Sequence, residues 1–350
     1  GYDAFRREQA QARQEGRYLG VGIANYVEPT TPGYGYYGTE AATIRIEPSG
    51  MVNVFIAGGS AGNSLETTVV QLAADALGAK IDDVATIQGD TAVTAFGAGV
   101  AGSRSASMTA GAVRETAAIL RERIAAIASY RLGAAVDDIE LEGSRAVVRG
   151  RPSGGISFAE LATLAHSDPS SLPAGLPAVL EASGRYTASS GSLWVNATHV
   201  CTCEVEITTG QVKLLRYVVG EDCGPMINPQ VVEGQIAGGV VQGIGGVFYE
   251  HLAYDEDGNP VTTTLLDYLL PTAPDVPPIE FVHIETPSSG PGGYKGVGEG
   301  GAIGAPPAVV NAVADALAPF GVTVTRLPLG PSQILTLLEE NEHRPGGAAA

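Results

Sequence analysis

The spacing of apolar positions changes along the chain, and each change predicts an element. Residues 3–16 read as a surface helix with Gly16 as its stop. A glycine-rich strand is predicted over 19–26 and a Pro/Gly/Tyr loop around 29–38. Residues 43–46 alternate, turn at Pro48-Ser49-Gly50 and resume over 52–56, the pattern of a hairpin. Helical spacing predicts a helix over 67–77, residues 81–84 lead into a strand, and an alanine-rich helix follows over 107–127. Between 135 and 190 the chain is rich in Ser, Pro and Gly, with only short helix and strand pieces. A second hairpin is predicted from 203–207 and 212–219 around Thr208-Thr209-Gly210, and a further turn at 254–259. Pro306 and Pro307 are expected to open a helix running through Leu317, because proline fits the first helical turn. A last helix is expected over 331–340. Strands and helices mix without regular β-α-β alternation, so the expected class is α+β. The expected division is a first subdomain over 1–150, a junction over 151–190, a second subdomain over 191–340 and a flexible tail over 341–350.

Composition narrows this picture. The 350 residues suffice for one large domain or two smaller ones, and 44% hydrophobic against 17% charged residues indicates a globular chain. The apolar runs are short and interrupted, so none is expected to reach the roughly 20 residues that span a bilayer. A formal charge of -18 repels phosphate backbones, which excludes nucleic acid as a partner. Cys201, Cys203 and Cys223 are too few for a disulfide framework and suit a reducing compartment, so the expected location is cytoplasmic. They are also too few for a four-cysteine iron–sulfur cluster, which would have to belong to another chain. Cys201 and Cys203 share one face of a predicted strand, where packing is favoured over metal ligation. The chain begins at Gly1 with no basic-plus-apolar leader before the first helical pattern, which is expected to be a processing or fragment boundary.

The most unusual stretch runs from 294 to 317. Gly296, Gly298, Gly300, Gly301 and Gly304 let the backbone approach a partner closely, and Glu299 is the carboxylate among them. A carboxylate in such surroundings is expected to be poorly solvated, its pKa raised and suited to taking a proton. Residues 296–301 formally match G-x-G-x-x-G, but a Pro/Ser/Gly segment over 287–293 stands where that fingerprint needs a strand, so the dinucleotide reading fails. A carboxylate stabilised by a helix N-terminus is the competing structural reading.

The run Lys295-Gly-Val-Gly-Glu-Gly-Gly301, continued by Pro306-Pro-Ala-Val-Val-Asn-Ala-Val-Ala-Asp-Ala-Leu317, resembles the active-site segment of the xanthine dehydrogenase/aldehyde oxidase/carbon monoxide dehydrogenase family. Residues 221–245 resemble that family's stretch of the form G-Q-x-x-G-x-x-x-Q-G-x-G, and 97–105 the segment passing close to the metal. The resemblance covers nearly the whole chain and matches the C-terminal part of a longer molybdenum subunit. It implies the family's molybdenum-cofactor-binding fold, with two mixed α/β subdomains. It implies Glu299 as the base that takes a proton from a hydroxide on molybdenum. Gln242, and as a weaker candidate Gln235, would meet the pterin edge, where an amide offers both donor and acceptor. The backbone of Ala101 and Gly102 would face the metal, and Ser103, Arg104 and Ser105 the pterin or its phosphate, with helix capping as the alternative for the serines. Gly62 and Asn63 belong to the cofactor set too, although many members carry Gly-Gln-Gly-x-x-Thr where this chain has Gly62-Asn63-Ser64-Leu65-Glu66-Thr67, and often Thr where Val100 stands. Lys295, Gly296 and Gly298 complete it, Lys295 as loop support or phosphate contact.

The implied cofactor is molybdenum on molybdopterin cytosine dinucleotide, with [2Fe-2S] and FAD in partner chains. The implied partners are the remaining N-terminal part of the molybdenum subunit, an iron–sulfur small subunit and a FAD medium subunit, arranged as a dimer of heterotrimers. The implied reaction inserts water-derived oxygen at an electrophilic C–H of an N-heterocycle or aldehyde. Carbon monoxide oxidation and a non-catalytic assembly role, the latter motivated by Asn63 and Ser64, are the alternatives.

Overall fold

A computed structural model describes residues 1–31, 38–188 and 193–342. The elements run α1 (Tyr2–Gln14), β1 (Tyr18–Thr31), β2 (Thr39–Ile46), β3 (Val52–Ile56), α2 (Leu65–Leu77), β4 (Val84–Gln88) and α3 (Ser105–Leu132). There follow β5 (Ile139–Glu142), β6 (Arg145–Val148), β7 (Arg151–Ser157), α4 (Phe158–Ser167) and β8 (Glu181–Thr187). The chain finishes with β9 (Leu193–Glu206), β10 (Gln211–Asp222), α5 (Pro229–Phe248), β11 (Ile279–His283), α6 (Gly300–Leu317) and α7 (Pro331–Glu342). The mixture of helices with separate sheets is the expected α+β arrangement.

Two of the sheets carry cores. In the order β4-β3-β2-β8, the inward faces of β2 and β3 place Ile44, Ile46, Val52 and Val54 under α2 and α3. Phe158 and Leu161 of α4 join this core and β8 pairs with β2, so the segment after 151 packs with the first sheet. In the order β1-β9-β10-β11, Val195, Cys201, Cys203 and Val219 meet Ile236, Val240 and Val309 from α5 and α6. We take these two cores as the two subdomains, with β1 crossing from the start of the chain into the second. The third sheet, β5-β6-β7, is a small meander.

β1 explains how the second core is made so thin. From Gly20 to Thr30 its even-numbered residues face inward. At Gly22 an added Cβ would lie 1.9 Å from the Ala308 carbonyl oxygen, so α6 can lie on the strand only because the strand has no side chain there. Toward the other end the same face changes from small to polar, through Tyr26, Glu28 and Thr30, beneath the start of α6.

Several expectations are corrected. The helix expected from Pro306 begins at Gly300, leaving Pro306 and Pro307 inside it. The missing backbone donors are tolerated because α6 is clamped between β1 and α5, where Pro306 packs against Gly243. Pro229–Phe248 and Gly300–Phe320 are, against expectation, long and apolar enough to cross a membrane, but 39% and 50% of their apolar stretches lie buried in this fold. Strand β1 extends beyond its expected end at 26, through Thr31. Residues 341 and 342 continue the last helix, while the rest of the expected tail, 343–350, and most of the expected loop around 29–38 lie outside the described residues.

Candidate active site

Where the two cores meet, three loops and the first turns of α5 enclose a cleft of about 350 Å³. The loop before α6 is its back wall. Gly296 lies so close to the 97–104 loop that a Cβ would sit 1.9 Å from the Ser103 carbonyl oxygen. Its N–H donates to Thr30 Oγ1 at 3.1 Å, and the Thr30 hydroxyl donates to the Leu193 carbonyl at 3.0 Å. Lys295 is tied the other way. Its N–H donates to the Cys223 carbonyl at 3.0 Å, and its buried ammonium reaches Thr286 Oγ1 at 2.9 Å and Asp222 Oδ2 at 3.1 Å. Burial pushes the Asp222 carboxyl up, but hydrogen bonds from Thr286, Gly224 and Lys295 outweigh it and hold it below the ordinary range. Lys295 is therefore committed to the loop.

These ties present Glu299. Its N–H donates to Ser103 Oγ at 3.0 Å, and Gly102 N–H donates to Glu299 Oε1 at 3.1 Å. Gly102 and Ser103 both have left-handed backbone, with φ of 56° and 53°, which turns these groups toward each other. The poor solvation expected of Glu299 is not found, since the residue is exposed at the cleft mouth. The glycines that let the loop approach so closely also leave the carboxylate without neighbouring side chains to cover it.

The structure brings Gly62, Asn63, Ala101, Ser103, Ser105, Gln235, Lys295, Gly298 and Glu299 to the cleft wall. Gly102 joins through its bond to Glu299, and Gly296 lies behind. Two expected cofactor residues stand elsewhere. Arg104 is buried, donating to Glu40 Oε2 at 2.8 Å and to the carbonyls of Gly99 at 2.6 Å and Thr39 at 2.8 Å, so it fastens the loop to β2. Gln242 is exposed and outside the cleft. It lies on the Gln235 face of α5 but two turns, roughly 10 Å, further along. Asn63 turns back on its own loop, accepting from Ser60 Oγ at 3.3 Å and Ala61 N–H at 3.2 Å. Ser64 has a φ of 53°, a conformation that favours glycine.

The sequence pattern did not single out the acidic groups behind this wall. Tyr26 donates its hydroxyl to Glu221 Oε1 at 3.0 Å, and burial pushes the Glu221 carboxyl up to about 8. Glu28 lies beside them, buried. The available signal was a polar residue at an inward position of an alternating strand. Cys201 and Cys203 are buried core thiols, and among the described residues no group of His, Cys, Asp and Glu is arranged to hold a metal.

Comparison with known proteins gives this architecture its class. The molybdopterin cofactor-binding domain family matches residues 1–277, and the chain belongs to that family. It is 40% identical over 343 residues to the nicotine 6-hydroxylase large subunit of Paenarthrobacter nicotinovorans, covering 95% of this chain and 42% of that one. It is 31% identical to the carbon monoxide dehydrogenase large chain of Hydrogenophaga pseudoflava, covering 97% of this chain and 43% of the relative. The solved structure of quinoline 2-oxidoreductase from Pseudomonas putida 86 superposes with a TM-score of 0.87 at 40% identity, over 97% of this chain and 44% of that one. The chain thus spans about two fifths of the length of the relatives it matches.

The cleft has room and polar groups for a small-molecule cofactor. A Cβ at Gly62 or Gly102 would meet nothing within 4 Å, so the backbone there faces open space. Ser103, Ser105, Asn63 and Gln235 supply donors and acceptors around that space, and its volume lies within the range of small-molecule sites.

Proposed function

We propose that this chain forms the cofactor-side part of a molybdenum hydroxylase, in which Glu299 is the active-site base and the substrate is an electron-poor N-heteroaromatic ring. The observation that supports the base is the Glu299 carboxylate, held at the cleft by Gly102 N–H on Oε1 while Ser103 Oγ accepts from the Glu299 backbone N–H, and open to whatever enters. The bound cofactor supplies two-electron oxidation of a substrate C–H with oxygen drawn from water. Gly62, Ala101, Ser103, Ser105 and Gln235 orient the cofactor, and the backbone at Gly102 leaves room for substrate. With Oε1 held by Gly102, Glu299 takes up the proton lost as the water-derived oxygen attacks, then returns it to solvent at the cleft mouth. The 40% identity to a nicotine hydroxylase and to a quinoline oxidoreductase favours a ring substrate over carbon monoxide.

The cytosine dinucleotide form of the cofactor, and electron transfer to [2Fe-2S] and FAD subunits in a dimer of heterotrimers, complete the reading. So does a cytoplasmic location, consistent with three unpaired buried thiols. The remaining N-terminal part of the molybdenum subunit belongs to the same reading. Purification of the intact complex, metal analysis and turnover with nicotine, quinoline and carbon monoxide test the proposal. Molybdenum with oxidation of a ring substrate is expected. A metal-free, stably assembled complex would show an assembly role instead.

A further inference from the structure

Tyr26 and Glu221 have no part in the function described so far. They stand on β1 and β10, and both pair with Ala197 of β9, which lies between them on the same face of the sheet. The alanine is small enough for the tyrosine to reach across it. The Tyr26 hydroxyl donates to the Glu221 carboxyl, at 3.0 Å from Oε1 and 3.2 Å from Oε2, and Glu221 is 1% exposed. A phenol whose one hydrogen is committed to a buried carboxyl is held in place.

That hydroxyl meets the start of α6. A Cβ built on Gly300 would lie 2.0 Å from the Tyr26 hydroxyl oxygen and 3.0 Å from its Cζ, so the hydroxyl occupies the place a side chain at 300 would take. The same turn is bounded on two other sides. A Cβ at Gly301 would lie 2.4 Å from the Ile236 carbonyl oxygen of α5, and one at Gly304 2.4 Å from the His199 ring of β9. Glycine at these positions lets the first turns of α6 settle onto β1, α5 and β9 with no side chain between.

Glu299 immediately precedes this turn, and its carbonyl accepts from the N–H groups of Ala302 at 3.0 Å and Ile303 at 3.1 Å. Its backbone therefore moves with the helix. On the cleft side residue 299 is held by Ser103 Oγ and Gly102 N–H. On the core side the limit is the Tyr26 hydroxyl beneath Gly300. The α5 contact is backbone and the β9 contact a whole ring, whereas this one rests on a single atom that substitution can remove.

We propose that Tyr26, held by Glu221, is a positioning residue that sets the depth of the first turn of α6 and with it the place of Glu299 in the cleft. The inference rests on the reading of Glu299 as the base, and its test separates the two.

The test uses the complete holoenzyme carrying Tyr26→Phe, Gly300→Ala, both together, or Glu299→Gln. Gly300→Ala sets a methyl group against the Tyr26 hydroxyl. It is expected to lower kcat on the order of 100-fold, the effect of a shift of about 1 Å, with KM changed less than about twofold. Tyr26→Phe takes the support away and is expected to lower kcat about 10-fold at unchanged molybdenum content and KM. In the double variant the methyl group enters the space the hydroxyl left, with ring Cζ as its nearest neighbour. There kcat should rise about 10-fold above that of Gly300→Ala, the coupling expected of groups in contact. Melting temperature gives a readout apart from turnover and should recover in the double variant too. A double variant no faster than Gly300→Ala overturns the proposal, as does unchanged kcat in Tyr26→Phe. Recovery of melting temperature without recovery of kcat also overturns it, because the contact would then be structural alone. Should Gly300→Ala fail to assemble, kcat and KM of Tyr26→Phe decide. Full activity in Glu299→Gln would instead remove the base itself, a separate outcome that leaves the melting temperatures to report the contact.

Discussion

Gly102 and Glu299, 197 positions apart, are joined by a backbone N–H that donates to Oε1 at 3.1 Å. The donor is main chain, so no exchange at position 102 other than to proline deletes it; what position 102 needs is its φ of 56°. The bond occupies one carboxylate oxygen and leaves the other for chemistry. It also draws the two loops together, one from each side of the cleft, so the Glu299 carboxylate is placed by the same contacts that shape the opening.

Glu299→Gln keeps the shape and most of the hydrogen-bonding ability of this side chain but cannot take up a proton. If Glu299 is the general base, kcat should fall by about 10²–10⁴-fold, the usual contribution of such a group, with molybdenum content unchanged. Steady-state kinetics with metal analysis on the same preparation checks this. Near-normal turnover would end the proposed role.

Gly296→Ala probes the wall behind Glu299. Its Cβ would fall 1.9 Å from the Ser103 carbonyl oxygen and 2.7 Å from Thr30 Cβ, both on well-packed chain. The loop must move, and a shift of about 1 Å can cost on the order of 10²-fold in rate. Activity should be lost by at least that factor, while Gly246→Ala, where nothing lies within 4 Å of the added Cβ, serves as the matched control in α5. Equal rates in the two variants would show that the wall yields freely.

The contrast between Gly296 and Arg104 shows how far the sequence could be read. The glycine-rich run around Glu299 was legible because close backbone approach demands glycine, and that demand leaves a local pattern. The hairpins of β2 with β3 and β9 with β10 were legible for the same reason, through alternation and turn residues. Arg104 was not, because its partner Glu40 lies 64 positions away and nothing local distinguishes a guanidinium that binds a cofactor from one that ties a loop to a strand. Tyr26 was hidden similarly, since its significance depends on a strand from the start of the chain pairing with β9, far along it. The start of α6 was misplaced because packing on β1 and α5 overrides the local preference of Pro306 for a first turn.

Arg104 now carries a stability prediction in place of a cofactor role. The Arg104–Glu40 pair is 1% and 2% exposed, and the guanidinium also satisfies the carbonyls of Gly99 and Thr39. Removing one partner of a buried pair leaves an uncompensated charge and costs about 3–5 kcal/mol. Arg104→Leu should lower stability by that order in denaturant unfolding, with the 97–104 loop released to proteolysis. A loss of cofactor with stability intact would restore the binding role.

Glu221 makes the protein sensitive to alkali. Its carboxyl titrates at about 8 in the fold, mainly through burial, against about 4.3 for a glutamate in an unfolded chain. The folded state therefore holds a proton that the unfolded state releases. The stability this provides is complete below about pH 4.3 and is lost progressively as pH rises to about 8, beyond which Glu221 is a buried anion. Tyr26 offsets part of the loss, because its hydroxyl donates to the ionised form at 3.0 Å. In Glu221→Gln the proton linkage is gone, so the melting temperature should decline less between pH 5 and pH 9 than in the unsubstituted protein. The difference should be on the order of a few kcal/mol at the alkaline end, less whatever the surrounding chain recovers by relaxing. Melting curves across that range, for both proteins in one set of buffers, check the sign directly: parallel declines would mean that Glu221 is already ionised in the fold at neutral pH.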